Sequence, residues 1–121
     1  MDSTAIKNLI QLYFDANFEA DAEKIGSVLH AAAHVYGHDD AGNLVDMDKP
    51  AFVALIDSLS PENPSTPRID EIFSLDFIGE KAAVARVRLR VGDMIYTDTL
   101  NFMFVDGKWG IISKIYSGVP V

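Results

Sequence analysis

The sequence predicts an α+β domain in which three helices pack on a curved antiparallel sheet, and three observations carry that reading. The last third of the chain alternates apolar and polar residues in long runs, interrupted by Gly92-Asp93 and Asp106-Gly107. Such dipeptides close two-residue hairpins because they tolerate the positive φ angles those turns require. The N-terminal stretch carries Ile6, Leu9, Ile10 and Tyr13 at helical spacing, one buried stripe of an amphipathic helix. Two further short helical patterns each follow an aspartate, Asp21 and Asp48, placed as an N-cap.

In chain order, the first helix runs from Ser3 to about Glu19, with Phe14 and Phe18 widening its apolar surface. Asp21 opens a second helix, Ala22–Leu29, that buries Ile25, Val28 and Leu29. From Ala31 to Gly37 the pattern turns extended, and Asp39-Asp40-Ala41-Gly42-Asn43 turns the chain back through Leu44-Val45. Asp48 then caps a third helix, with Pro50 tolerated in its first turn and Phe52, Val53, Leu55, Ile56 and Leu59 on its buried side. Ser60–Pro67, with prolines at 61, 64 and 67, is a stiff loop.

Four strands complete the chain as a meander: Arg68–Ile78, Ala82–Val91, Met94–Val105 and Lys108–Tyr116. A three-residue loop, Gly79-Glu80-Lys81, places Phe73, Leu75 and Phe77 on the same face as Ala83, Ala85 and Val87, with Ser74 opposite Arg86 and Asp70 opposite Arg90. The two-residue turns set the remaining register. Val91 faces Met94, Leu89 faces Tyr96, Val87 faces Asp98, Ala85 faces Leu100 and Ala83 faces Phe102. Across the last turn Val105 faces Lys108, Phe104 faces Trp109, Phe102 faces Ile111, Leu100 faces Ser113 and Asp98 faces Ile115. One face then carries Leu89, Tyr96, Leu100, Phe102, Phe104, Trp109, Ile111 and Ile115, with Asp98 and Ser113 as its polar members. The other carries Arg86, Arg88, Arg90, Thr97, Thr99, Asn101, Lys114 and Tyr116. The first face wants a core, the second water or a partner.

Composition narrows the function classes. With 121 residues and 49% apolar side chains, residues 1–121 are read as one folded domain. No cysteine is present, which excludes disulfides, thiolate catalysis and cysteine-ligated metals and suits a reducing cytoplasm. Met1-Asp2-Ser3-Thr4 lacks the basic start of a secretory leader, and no apolar run is long enough to span a bilayer; a cytoplasmic location is expected. A net charge of −8 repels phosphate backbones and anionic membranes, so neither is expected as a partner.

Two groups of residues invite a chemical reading. His30, His34 and His38 are four apart, but Gly37 and the extended pattern argue against the continuous helix that would align them, and no metal or cofactor is expected. Asp98 is the sharper signal. A carboxylate among Val87, Leu100, Tyr96 and Ile115 is hydrogen-bonded, exposed at a cavity mouth, or shifted in pKa and available for acid–base work. Tyr13, Tyr96 or a histidine could be its partner. Arg86, Arg88, Lys114 and Tyr116, on the other face, read as a dimer interface or an anion site.

With the elements placed, the chain resembles the nuclear transport factor 2-like superfamily, and within it the SnoaL-like and putative lumazine-binding group. The resemblance rests on Ile10-Gln11-Leu12-Tyr13-Phe14-Asp15-Ala16, Asp21 through His30, Tyr96-Thr97-Asp98-Thr99-Leu100 and Asp106 through Tyr116. It implies a cone-shaped fold enclosing an apolar pocket, here lined by Tyr13, Val35, Tyr96, Asp98, Leu100, Phe102 and Trp109, and a homodimer. Ketosteroid isomerases, dehydratases and polyketide cyclases share that superfamily with pockets of no known reaction. Alignment with the isomerases puts Tyr13 at their enolate-binding tyrosine, Gly37 at their general base and Leu100 at their second oxyanion donor. Alignment with the Asp–His pair of dehydratases puts Val35 and Gly37 where the histidine would be needed. The expectation is therefore a binding protein for a small apolar or aromatic ligand. The alternatives are a metal-independent acid–base enzyme using Asp98 and Tyr13, and a protein-interaction module.

Overall fold

A computed structural model of the chain describes residues 3–121; Met1 and Asp2, the start of the stretch read for a leader, lie outside the described residues. Helix α1 (Ser3–Glu19) buries Ile6, Ile10, Tyr13, Phe14, Ala16 and Asn17. It ends where Ala20 enters the left-handed region at φ 52°. There Asp21 N donates to Ala16 O at 3.0 Å and Ala20 N to Asn17 O at 3.4 Å, the paired bonds of a Schellman stop. Asp21 then caps α2 (Ala22–Val28) by accepting from Lys24 N. Leu29, expected to close that helix, instead begins β1 (Leu29–His38).

The acidic turn closes on itself, with Asp39 Oδ1 accepting from the amides of Ala41 and Asn43 at 3.0 and 2.8 Å. It leads into β2 (Leu44–Asp48), and Asp48 caps α3 (Lys49–Ser58) through Ala51 N. Strands β3 (Asp70–Ile78), β4 (Ala82–Val91), β5 (Met94–Val105) and β6 (Lys108–Pro120) follow.

Among the described residues the sheet has six strands in the order β2-β1-β6-β5-β4-β3. The expected four-strand meander is therefore extended by the β1–β2 hairpin, which joins through a parallel pairing of β1 with β6. No local signal announces that pairing, because its partners lie at opposite ends of the chain. The third helix follows the hairpin. The core lies between the helices and the inner sheet face, where Ile6, Ile10, Ile25, Val28, Val87, Leu100 and Phe102 are all buried. Among the described residues no helix is long and apolar enough to cross a membrane.

The β4–β5 register is as read from the turns, from Val91 opposite Met94 to Ala83 opposite Phe102. Asp106 and Gly107 both take positive φ, 53° and 79°, whereas at the other turn only Gly92 does, at 60°. Two β-bulges change what lies beyond the turns. In β3, the register slips between Ile72 and Ser74, so Asp70 pairs with Leu89 rather than Arg90. Phe73 leaves the inner face there, and the guanidinium groups of Arg86 and Arg88 lie 5.3 and 5.7 Å from its ring centre.

The second bulge bears on function. Phe102 pairs with Ile111 but Asn101 with Ser113, so Ile112 is an extra residue in β6. Beyond it Leu100 faces Lys114, Thr99 faces Ile115 and Asp98 faces Tyr116, where Ser113 and Ile115 were expected opposite Leu100 and Asp98. A one-residue slip inverts every later side chain. Lys114 and Tyr116, expected outside, therefore point inward, while Ile115 points out and is 57% exposed.

Candidate functional site

Tyr13, near the middle of α1, and Asp98, central in β5, meet in the interior. Both are buried, and the Tyr13 hydroxyl donates to Asp98 Oδ2. Of the three partners the sequence offered Asp98, the structure supplies the tyrosine. Lys114 completes a cluster: its Nζ donates to the Tyr13 hydroxyl at 2.7 Å and lies 3.7 Å from Asp98 Oδ2. Three rings surround the same ammonium, with centres at 4.3 Å for Phe52, 5.1 Å for Tyr13 and 5.5 Å for Tyr116. That geometry offers a desolvated cation π-electron density in place of water. Asp98 Oδ1 has no hydrogen-bond partner among the described residues.

Electrostatics follow from burial. The Tyr13 hydroxyl is pushed well above its ordinary pKa, first by desolvation and then by the Asp98 charge. Lys114 is lowered, because burial disfavours its ammonium more than Asp98 favours it. Tyr96 is raised by burial, with Tyr116 and Asp98 adding to it.

Beside this cluster is a cavity of about 110 Å³. Its wall comes from Tyr13 and Asn17 of α1, Met47 of β2, Phe52, Leu55 and Ile56 of α3, Leu59 just beyond α3, Leu89 and Val91 of β4, Tyr96 and Asp98 of β5, and Lys114 and Tyr116 of β6. Leu55 and Leu59 were expected in the core. They are 42% and 38% exposed, so they form the mouth instead. Asn17 is held by donating to Tyr13 O at 2.9 Å. The cavity is smaller than the space of about 150 Å³ that admits benzene in an apolar core, but it is open at the leucines.

Four residues expected in the pocket are not in its wall. Val35, Leu100 and Phe102 are buried in the core cluster with Ile6, Ile10 and Ile25. Trp109 lies farther along the sheet, 6.1 Å from Phe77 and 5.6 Å from Phe104 between ring centres. Met47, Phe52, Leu55, Ile56, Leu59 and Asn17 were not read as ligand-facing. The apolar pattern of the third helix held four of them, but nothing local told core from cavity.

Gly37 has a packing reason. A Cβ there would lie 2.3 Å from Tyr116 Cζ, so the ring rests on bare backbone. Gly118 receives the Tyr96 ring in the same way, with a Cβ 2.6 Å from Tyr96 Cε1. The two tyrosines meet edge to face at 5.8 Å. Gly37 is thus the seat of an aromatic ring.

The histidines stand apart from the cavity. His34 Nδ1 is 2.7 Å from Asp46 Oδ1 and its ring stacks on Tyr36. His30 Nδ1 accepts from Ala32 N, and His38 Nδ1 lies 3.0 Å from Asp39 O. Among the described residues no group of three or more His, Cys, Asp or Glu could hold a metal ion. On the outer face Arg88 pairs with Glu71 at 2.8 Å; of the four residues expected to form a surface there, only Arg86 and Arg88 remain on it.

A family model described as putative lumazine-binding matches residues 1–117. Among solved structures, a nuclear transport factor 2-like protein of unknown function from Shewanella baltica is similar with a TM-score of 0.87 and 26% identity, over 97% of this chain and 93% of that one. A counterpart of unknown function from Silicibacter pomeroyi gives 0.83 and 24%, over 95% and 93%. A ketosteroid isomerase-like protein from Erwinia carotovora atroseptica gives 0.74 and 13%, over 97% and 95%. The fold is therefore nuclear transport factor 2-like. No curated protein matches this chain.

Proposed function

We propose that this chain, which belongs to the putative lumazine-binding family, is a binding protein for a small apolar or aromatic molecule. The cone described for this fold would then close over the cavity between α1, α3 and the inner sheet face. The observation that carries the reading is the cavity itself. Its wall is mostly aliphatic and aromatic, with polar groups converging at one side: the Tyr13 hydroxyl, Asp98, Lys114 Nζ and the Asn17 amide. Apolar walls give affinity and a few fixed polar groups give orientation. Asp98 Oδ1, without a hydrogen-bond partner among the described residues, is suited to accept from an N–H or O–H of the ligand, because a buried acceptor left unmatched is costly.

A panel of mono- and bicyclic aromatic compounds, screened by thermal shift and followed by calorimetry on wild type and Asp98→Asn, tests this. A ligand that stabilises wild type and binds the variant about tenfold more weakly, equivalent to about 1.4 kcal/mol, is expected. Absence of any stabilising compound, or equal binding by the two proteins, counts against a ligand site at Asp98.

A second reading, an acid–base enzyme of the dehydratase, isomerase or cyclase kind, is favoured by the same unpartnered oxygen. Asp98 would take or give a proton and Tyr13 would donate to developing negative charge. Gly37, seated under the Tyr116 ring, offers no carboxylate at the position the resemblance implies for an isomerase base, so Asp98 would be the carboxylate of any such chemistry, with Tyr13 as donor. Turnover of the bound compound, lost in Asp98→Asn, is the discriminating result.

The partner proposed is a second copy of the chain, meeting the outer sheet face. Phe73 and Ile115, 49% and 57% exposed, lie there with Arg86 and Arg88, and exposed apolar side chains grouped on one face mark such surfaces. Ile115→Lys should convert a dimer to a monomer in sedimentation velocity, and an unchanged sedimentation coefficient refutes the placement.

A further inference from the structure

Lys114 is the buried group that simple ligand binding leaves unexplained. A lysine on an inward strand position is costly to bury, yet a bulge at Ile112 turns it inward. Its side chain is 8% exposed, and it forms part of the cavity wall. The Tyr13 hydroxyl touches both Lys114 Nζ and Asp98 Oδ2, so one hydroxyl bridges an amine and a carboxylate. Phe52, 4.3 Å from the nitrogen, also lines the cavity.

We propose that Lys114 captures a small carbonyl compound, an aromatic aldehyde or a conjugated ketone, as an imine within the cavity. This rests on the reading of the cavity as a ligand site and names the class of ligand it takes. The Nζ lone pair forms the new C–N bond at the carbonyl carbon while the C=O π pair moves to oxygen. One proton passes from nitrogen to that oxygen through the Tyr13 hydroxyl, leaving a neutral carbinolamine. The C–O bond then breaks, the remaining N–H proton leaves with the hydroxyl as one water, and the nitrogen lone pair closes the C=N bond. No oxidant, reductant or metal enters the balance.

Three features of the site favour this. An amine attacks only when neutral, and a desolvated lysine beside an apolar pocket reaches that state more readily than one in water; burial lowers Lys114 accordingly. A neighbouring hydroxyl linked to a carboxylate provides the proton transfers that both steps need. Lys114, Tyr13 and Asp98 line the same cavity as the half-exposed Leu55 and Leu59, so a flat molecule with its carbonyl at Lys114 would leave its apolar end against the two leucines.

The test treats the wild-type protein at pH 8 with benzaldehyde and cyanoborohydride, which traps any imine as a secondary amine, followed by digestion and tandem mass spectrometry. The exposed Lys7, Lys81 and Lys108 are internal controls, and the same reaction in urea reports intrinsic reactivity. Lys114 should be labelled roughly tenfold or more faster than the exposed lysines in the folded protein, with the preference gone in urea. Labelling of Lys114 no faster than the exposed lysines overturns the proposal. Benzyl alcohol, of similar size but without the carbonyl, separates the two readings. If it raises the melting temperature while Lys114 stays unlabelled, the pocket stands and imine formation is refuted. If neither compound stabilises the protein and Lys114 stays unlabelled, both fall.

Discussion

Replacing Asp98 by Asn keeps the side-chain shape and an acceptor for Tyr13 but removes the charge facing Lys114. Lys114 Nζ is 3.7 Å from Asp98 Oδ2, and the two side chains are 8% and 1% exposed, so bulk water solvates neither group freely. Deleting one partner of a buried pair costs ~3–5 kcal/mol. Here the cost has a ceiling, because the amine can shed its proton instead of staying an unpaired ion. Holding a lysine neutral at pH 7 against its ordinary value of 10.5 costs about 4.8 kcal/mol at about 1.36 kcal/mol per pH unit. A loss of about 3–4 kcal/mol is therefore expected at pH 7.

The pH dependence gives the sharper check. Burial already lowers Lys114 below 10.5, with Asp98 opposing the change; without Asp98 it falls further. Between that lowered value and 10.5 the unfolded chain binds a proton that the folded chain does not. Stability then rises with pH across the interval, more steeply in the variant. At pH 9 the ceiling is only about 2 kcal/mol. The other titratable groups facing the ammonium are Tyr13 and Tyr116, with Tyr96 packed beside them; Tyr13 and Tyr96 are raised and stay protonated throughout this range. Urea denaturation of both proteins at pH 7, 8 and 9 should show the gap between them narrowing. A gap that is constant or widens refutes the view that an unpaired ammonium is what the substitution creates.

Tyr13→Phe removes the acceptor of Lys114 Nζ and the donor to Asp98 together, and should cost about 2–4 kcal/mol by urea denaturation. In wild type the raised Tyr13 contributes stability that is present below 10.0 and lost as pH climbs towards its folded value; that alkaline loss should be weaker in the variant. Gly37→Ala drives a methyl to within 2.3 Å of the Tyr116 ring and should destabilise by about 1–3 kcal/mol. Adding Tyr116→Leu should restore part of this, and simple additivity would refute ring packing as the cause. Ala20→Gly relieves a left-handed residue at φ 52° and should raise stability by about 1 kcal/mol, read as a higher urea midpoint with an unchanged slope.

What could be read in the chain was what local rules determine. The caps at Asp21 and Asp48 and the β4–β5 register follow from side-chain hydrogen bonding and turn chemistry within a few residues. Asp98 stood out because the two-residue turn at Gly92-Asp93 placed it among apolar neighbours. Parallel pairing of β1 with β6, and the boundary between core and cavity, depend on contacts distant in sequence. The faces of β6 failed for a more instructive reason. Ile111-Ile112-Ser113-Lys114-Ile115-Tyr116 supports two registers. One buries Ile115 and exposes Lys114; the other, with Ile112 as the extra residue, does the reverse. Hydropathy alone chooses the first, since fully burying an isoleucine contributes ~2 kcal/mol. The first register, however, leaves Asp98 without a cation and the Tyr13 hydroxyl without its second partner. Leaving one charge of a buried pair uncompensated costs ~3–5 kcal/mol, more than the isoleucine returns, and the three rings around the ammonium offset part of its own desolvation. Once Asp98 is inward, the only basic residue of β6 past Ile111 has reason to turn inward with it, and a bulge is the smallest backbone change that does so. The exposed Ile115, 57% accessible, is the cost of that choice, and it falls on the face proposed above to meet a second copy of the chain.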